Sequence, residues 1–183
     1  MKTQKIPEAT ITRLSVYSRF LAEVELQPFV GVETIPVVTA EEMFDAVTRI
    51  SDGFDIVVMC SAVADYTPGS YHQQKMKKDD DELNLSLIRT KDILQYLGAH
   101  KREGQCVVGF SMETENLISH SQEKLMKKNV DMICANTIAS GNTGFGVDTN
   151  QVTIIMPDRV EELPLCSKDE TASLILDTIM ENK

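Results

Sequence analysis

The chain has 183 residues, 42% of them hydrophobic and 25% charged, with a formal net charge of −10. That length supports one domain with a buried core, and the acidic balance argues against broad nucleic-acid binding while leaving room for a local basic pocket. No apolar run approaches the roughly 20 residues that a membrane-spanning helix needs, and the N-terminus has no signal-peptide core.

Cys60, Cys106, Cys134 and Cys166 form no Cys-x-x-Cys pair, and three of them lie in or at the end of apolar runs. Such cysteines behave as small hydrophobes, so a reducing, cytoplasmic compartment is expected. His72, His100 and His120 lack metal-ligand spacing.

In chain order, Ile11, Leu14, Tyr17, Phe20, Leu21 and Val24 recur at three- and four-residue steps behind Pro7, predicting an amphipathic helix over about Pro7–Leu26. From Gln27 the chain changes character, and ETIPVV reads as a strand. Thr39-Ala-Glu-Glu42 is a capping box opening a helix with Met43, Phe44, Val47 and Ile50 on one face, ending near Gly53. Ile56–Met59 is a buried-strand signal, followed by small residues to Asp65 and, past a Gly/Pro turn, by the run Lys75, Lys77, Lys78. Asn84–Ile88 reads as a strand that pairs with that run in a two-stranded excursion.

Thr90 is expected to cap a helix with Ile93, Leu94 and Leu97 inward, ending near Gly104. Then come a strand at Cys106–Phe110, a helix from about Glu115 to Asn129, a strand at Met132–Ala135, a glycine loop from Ser140 to Gly146 and a strand at Val152–Met156. Ser167-Lys-Asp-Glu170 is a second capping box, opening a terminal helix with Ala172, Ile175, Leu176 and Ile179 toward the core. Helix and strand alternate from Thr39 onward, which predicts an α/β, doubly wound, mostly parallel sheet with its last strands antiparallel.

Ligands in such sheets bind beyond the carboxyl ends of the strands. Asp65 sits at such an end, where a carboxylate orients a ribose hydroxyl or a phosphate-bound Mg2+, or merely bonds its own turn. The lysine run from Lys75 is matched by the carboxylates Asp79–Asp81 as readily as by a phosphate. Lys124 and Lys128 lie one helical turn apart, a phosphate site or a solvated helix end. Thr90–Ile93 is a helix start with free N–H groups, a feature of every helix.

KIPEATITRLSVYSRFL resembles the opening of the redox-sensing Rex-type repressors over about the first 22 residues. No recognition helix and no Gly-x-Gly-x-x-Gly turn follows it. A single helix cannot read a DNA groove, so a DNA-binding redox repressor fragment rests on this stretch alone.

The remaining motifs resemble one family. SAVADYTP followed ten positions after Asp65 by KMKK is similar to A-A-V-A-D-[YF]…K-[IM]-K-K; DELNLSLIRTKDIL, VVGFSMETEN, KNVDMICANTI and GVETIPVVTAEEM match further segments in order, from about Val30 to Met180. The family is the phosphopantothenate–cysteine ligases, often fused to a phosphopantothenoylcysteine decarboxylase. The resemblance implies a Rossmann-like fold, a homodimer, and a CTP-dependent ligation with Mg2+ that joins 4′-phosphopantothenate to cysteine through an acyl-cytidylate.

It also implies the site. Met59, Cys60 and Ser61 would line the nucleotide with backbone, and Asp65 would bind it through ribose or metal. Lys75 would contact the phosphates and assist catalysis. Lys91, Asp92, Ile93, Leu94 and Phe110 would surround the nucleotide, and Lys124 and Lys128 would complete its binding. Lys91 stands where the family has Pro, and Ser61 where it has Ala. The family's opening Gly-rich segment, with G-P-T, an Asn and S-S-G-x-M-G, has no counterpart here. The expectation is therefore a Rex-like segment at 1–26 and an N-terminally truncated ligase-like domain at 27–183, lacking its first strand. An inactive nucleotide-binding or dimerisation module is the alternative.

Overall fold

The structure is a computed structural model and describes residues 33–70, 84–113, 115–137 and 148–182. Two units divide the chain, Met1–Pro36 and Val37–Lys183. The expected N-terminal helix, the Lys75 run and the Ser140–Gly146 loop lie outside the described residues. All of the described helices and strands belong to the second unit.

Thr39 opens the first described helix. Its hydroxyl accepts the Glu42 N–H at 3.1 Å, while the Glu42 carboxylate accepts the N–H groups of Thr39 (3.0 Å) and Val38 (2.7 Å), the reciprocal cap expected from sequence. Helix α1 runs Ala40–Ile50 and tightens into a 3-10 turn at Ser51–Gly53. Met43, Phe44 and Val47 pack on the core. Ile50, expected inward, is exposed at the point where the helix tightens, and Ala46 is buried instead. ETIPVV forms no strand: no described strand pairs with it, and Val38 is 92% exposed. An apolar run becomes a strand only where its N–H and C=O groups find a ladder.

The next elements in order are β1 (Ile56–Met59), β2 (Tyr66–Pro68), β3 (Leu87–Arg89), α2 (Ile93–His100), β4 (Cys106–Glu113), α3 (Leu117–Lys128) and β5 (Met132–Thr137). They are followed by β6 (Thr149–Asn150), β7 (Val152–Ile155), β8 (Val160–Glu162), β9 (Cys166–Ser167) and α4 (Lys168–Glu181). The main sheet has the order β1-β4-β5-β7-β8. The first three strands run parallel, and β7 and β8 are antiparallel to their neighbours, as expected of the last strands. β6 and β9 form a separate antiparallel pair.

Strand residues alternate between two cores, which is why β4 and β5 read as unbroken apolar runs. Val107, Ile133, Ala135 and Ile155 meet Ile93, Leu94, Leu97 and Leu125 on one face, with α1 outside them. Val108, Met132, Cys134, Val152 and Ile154 meet Ile175 and Ile179 of α4 on the other.

Close approach of α2 depends on two glycines. A Cβ on Gly109 would collide with Leu94 and reach 3.0 Å from Ile133 Cδ1. One on Gly98 would overlap the Lys128 carbonyl oxygen and lie 2.9 Å from that of Asn129. Asn129 ends α3 in the left-handed region (φ 52°) and donates from Nδ2 to the Gly98 carbonyl at 2.8 Å.

β3 pairs with β2, while the lysine run expected beside it lies outside the described residues. Two further expectations are corrected. Helix α2 is capped by Asp92, not Thr90, and ends at His100, short of Gly104, which sits in a turn at φ 77°. On α4 the Ser167–Glu170 capping box is present, but Ala172 and Leu176 face outward. Thr171 and Thr178 are buried in their place, with hydroxyls donating to the Ser167 and Leu174 carbonyls at 2.8 and 2.9 Å. The hydroxyls thereby bond within their own helix, so the apolar pattern alone misjudges that face.

Candidate functional site

β1, β4 and β5 are parallel, so their carboxyl ends open on one side of the sheet, where α2 and α3 begin. The chain leaves β1 at Met59 and passes through Cys60, Ser61 and Ala62 to Asp65. Thr90 ties this passage to the start of α2. Its hydroxyl donates to the Ala64 carbonyl at 2.6 Å, and its N–H donates to the Asp65 carbonyl at 3.0 Å. The hydroxyl read as a helix cap is thus spent on bringing two candidate segments together.

Met59 is opposite Gly109 in the last pair of the β1–β4 register. The side chains of Met59 and Phe110 lie on different faces: Met59 packs toward α2, and Phe110 toward the α4 face. Asp65 is exposed, and its carboxylate has no partner among the described residues. Ile93 and Leu94 point into the core, so only their backbone faces the open end. The first N–H groups of a helix have no partner within it.

The four charged candidates near α2 and α3 have definite partners. Lys91 pairs with Glu41, lies 4.0 Å from Asp45, and sits 4.7 Å above the Phe44 ring. The Glu41 hydrogen bond holds its ammonium above the usual range. Its side chain therefore ties the start of α2 to α1. Asp92 accepts the Gln95 N–H at 3.0 Å and binds Lys128 Nζ at 2.9 and 3.1 Å. Burial pushes its carboxyl up, but the Lys128 and Gln95 hydrogen bonds, with the charges of Lys128 and Lys127, outweigh that and hold it below the ordinary range. Lys124 Nζ lies 3.1 Å from Glu113 Oε1, and His120 Nδ1 lies 3.6 Å from Glu113 Oε2. Lys75 is outside the described residues.

Two features escape sequence reasoning. Glu113 is the last residue of β4 and stands in the sequence only as one letter of the VVGFSMETEN motif; its partners lie on α3, beyond the reach of local spacing. Asn136, at the end of β5, has a buried side-chain oxygen with no hydrogen bond, and no sequence pattern announces such an atom. Among the described residues, no three His, Cys, Asp or Glu side chains are grouped to hold a metal ion. No described helix is long and apolar enough to cross a membrane.

The cysteines differ in access. Cys134 is buried, and burial followed by the nearby Cys60 pushes its thiol up to about 12. Cys60 is exposed at the open end of the sheet. Brief iodoacetamide treatment at neutral pH should alkylate Cys60 and leave Cys134 unmodified until the protein is unfolded, as read by peptide mass spectrometry, because the thiolate is the reactive form.

Residues 19–182 match the family described as the DNA/pantothenate metabolism flavoprotein C-terminal domain. The chain belongs to that family. The match spans every described helix and strand. The coenzyme A biosynthesis bifunctional protein CoaBC of Bacillus subtilis is 44% identical over 154 residues, 84% of this chain and 38% of its own length. The CoaBC of Vibrio cholerae is 36% identical over 160 residues, 86% of this chain and 40% of its length. This chain thus spans about two fifths of these relatives. A crystal structure of the C-terminal domain of CoaBC superposes with a TM-score of 0.68 at 36% identity, over 86% of this chain and 72% of that one. Membership supports the Rossmann-like reading of the sheet.

Proposed function

We propose that this chain carries the ligase chemistry of coenzyme A biosynthesis, joining 4′-phosphopantothenate to cysteine with CTP. The observation that carries this reading is the Thr90 bridge. It draws the Cys60–Asp65 passage and the N-terminus of α2 to the open end of the parallel strands, in a domain 36% identical to the C-terminal domain of CoaBC.

In the first step a carboxylate oxygen of 4′-phosphopantothenate attacks the α-phosphorus of CTP. The bond to the bridging oxygen breaks, and pyrophosphate leaves. In the second, the cysteine nitrogen attacks the acyl carbon, loses a proton and expels CMP. Negative charge builds on the transferring phosphate, so fixed cations lower the barrier. Lys75, Lys124 and Lys128 are the cations assigned to that work. The backbone of Met59–Ser61, Lys91–Leu94 and Phe110 would shape the nucleotide pocket.

Mg2+ arrives with the triphosphate and needs only one or two protein carboxylates. The exposed Asp65 carboxylate, without a partner among the described residues, fits that requirement. The bound ion would supply charge neutralisation on the phosphates. A homodimer, a cytoplasmic location and a decarboxylase partner, as domain or separate chain, complete the proposal; the last is supported by the bifunctional relatives.

The test is pyrophosphate release from CTP and 4′-phosphopantothenate, comparing this chain with Lys75→Gln. The expected result is release by the chain and a loss of at least about a hundredfold in the variant, the usual scale for removing a charge-stabilising group. CTP binding without release above the variant would leave an inactive nucleotide-binding module. Absence of both would reject the reading.

A further inference from the structure

Lys124 and Lys128 stand one turn apart on α3, and each is held by a carboxylate from another element. Asp92 holds Lys128 from the start of α2, and Glu113 holds Lys124 from the end of β4. Of the two carboxylates, that of Glu113 is the more enclosed. Its side chain is 18% exposed against 44% for Asp92. Both Glu113 oxygens face cationic or potentially cationic groups of the same helix, Oε1 at 3.1 Å from Lys124 Nζ and Oε2 at 3.6 Å from His120 Nδ1. The backbone that carries this carboxylate is held, because Glu113 lies in the β4–β5 ladder opposite Thr137.

We infer that Glu113 is a positioning residue, which holds the Lys124 ammonium at the open end of the sheet in readiness for the phosphates of the nucleotide. The inference rests on the CTP-dependent reading of the site. Its physical basis is pre-organisation. A lysine stem is flexible, and ordering it at the moment of binding subtracts from affinity. A carboxylate on a rigid strand orders it beforehand. Protein kinases use the same device, a lysine on the nucleotide phosphates kept in place by a glutamate ion pair.

A carboxylate near a triphosphate also repels it, and this sets the sign of the test. If Glu113 acted only as a negative charge, removing it would tighten CTP binding. If it positions Lys124, removing it weakens binding, and only while Lys124 is present.

The experiment is a double-mutant cycle read by calorimetric titration with CTP and Mg2+ on the full chain, using the unaltered protein, Glu113→Gln, Lys124→Met and the double variant. Glu113→Gln should weaken CTP binding about tenfold, or about 1.4 kcal/mol, and should change it less than about twofold in the Lys124→Met background. Glu113→Asp, which keeps the charge on a shorter stem, should recover part of the loss. Tighter binding by Glu113→Gln, or an equal loss in both backgrounds, would overturn the positioning role while leaving the nucleotide reading intact. No CTP binding by the unaltered chain would reject that reading, and this inference with it. Should Glu113→Gln fail to fold, the Glu113→Asp cycle against Lys124→Met decides by the same criterion of non-additivity.

Discussion

Gly98→Ala should destabilise the domain by about 2 kcal/mol and lower its midpoint of thermal unfolding by roughly 4–8 °C. By helix propensity alone, alanine in the interior of α2 would be favoured by about 1 kcal/mol. Geometry reverses the sign. The new methyl would overlap the Lys128 carbonyl oxygen and approach two further backbone atoms at 2.9 and 3.0 Å. No side-chain rotation relieves a clash with backbone. The helices must part, which stretches the Asn129-to-Gly98 hydrogen bond and opens the packing of Leu97 against Leu125 and Val130. Gly53→Ala is the control: nothing lies within 4 Å of a Cβ there, and its stability in urea should stay within about 0.5 kcal/mol of the unaltered protein.

Asp92→Ala is expected to remove about 1–2 kcal/mol, with most of the loss from the cap. The ion pair to Lys128 adds less, because the Asp92 side chain is 44% exposed and solvent screens it. Asp92→Asn separates the two contributions, since asparagine still caps while the charge is gone. The pH dependence follows from the lowered carboxyl. A group whose folded pKa lies below its unfolded value stabilises above the unfolded value and loses that stabilisation as pH falls through the folded one. The gap between the unaltered protein and Asp92→Asn should therefore be full at pH 7 and close as pH falls below about 4. Urea unfolding at pH 7 and pH 3 measures it.

Sequence legibility follows the range of each interaction. Both capping boxes are readable because hydroxyl, carboxylate and N–H all lie within four residues. The runs of β4, β5 and β7 are readable because burial on two faces leaves them few polar positions, and β1 carries the same signal although Val58 is exposed. ETIPVV carries the same signal and forms no strand, because a ladder depends on a neighbour that local composition does not report. Thr90 looks like a cap for the same reason, and its hydroxyl instead reaches Ala64, 26 residues away in sequence.

At the candidate site, motifs alone point to the Cys60–Asp65 passage and the start of α2, and the structure sets them side by side. The carboxylates that hold the lysines are not recognisable as such in the sequence. Glu41, Asp92 and Glu113 meet Lys91, Lys128 and Lys124 across separate elements, so no spacing rule links them. Whether a lysine is free to meet a phosphate depends on those partners, which only the fold supplies.

The order of strands also bears on how the domain assembles. The ladder joins Val108 to Met132 and Val58 to Val108, so bringing β1 to the sheet closes a segment about twice as long as the one between β4 and β5, an added entropic barrier of about 0.6 kcal/mol. The shorter closure also has α3 inside it and the β5–β7 pairing next to it. The β4–α3–β5 unit is therefore the segment expected to form first, with β1, at the margin of the sheet among the described residues, joining across the longer closure. The Cys60–Asp65 passage, which follows β1, is then expected to settle after that unit, so the candidate site depends on the longer of the two closures.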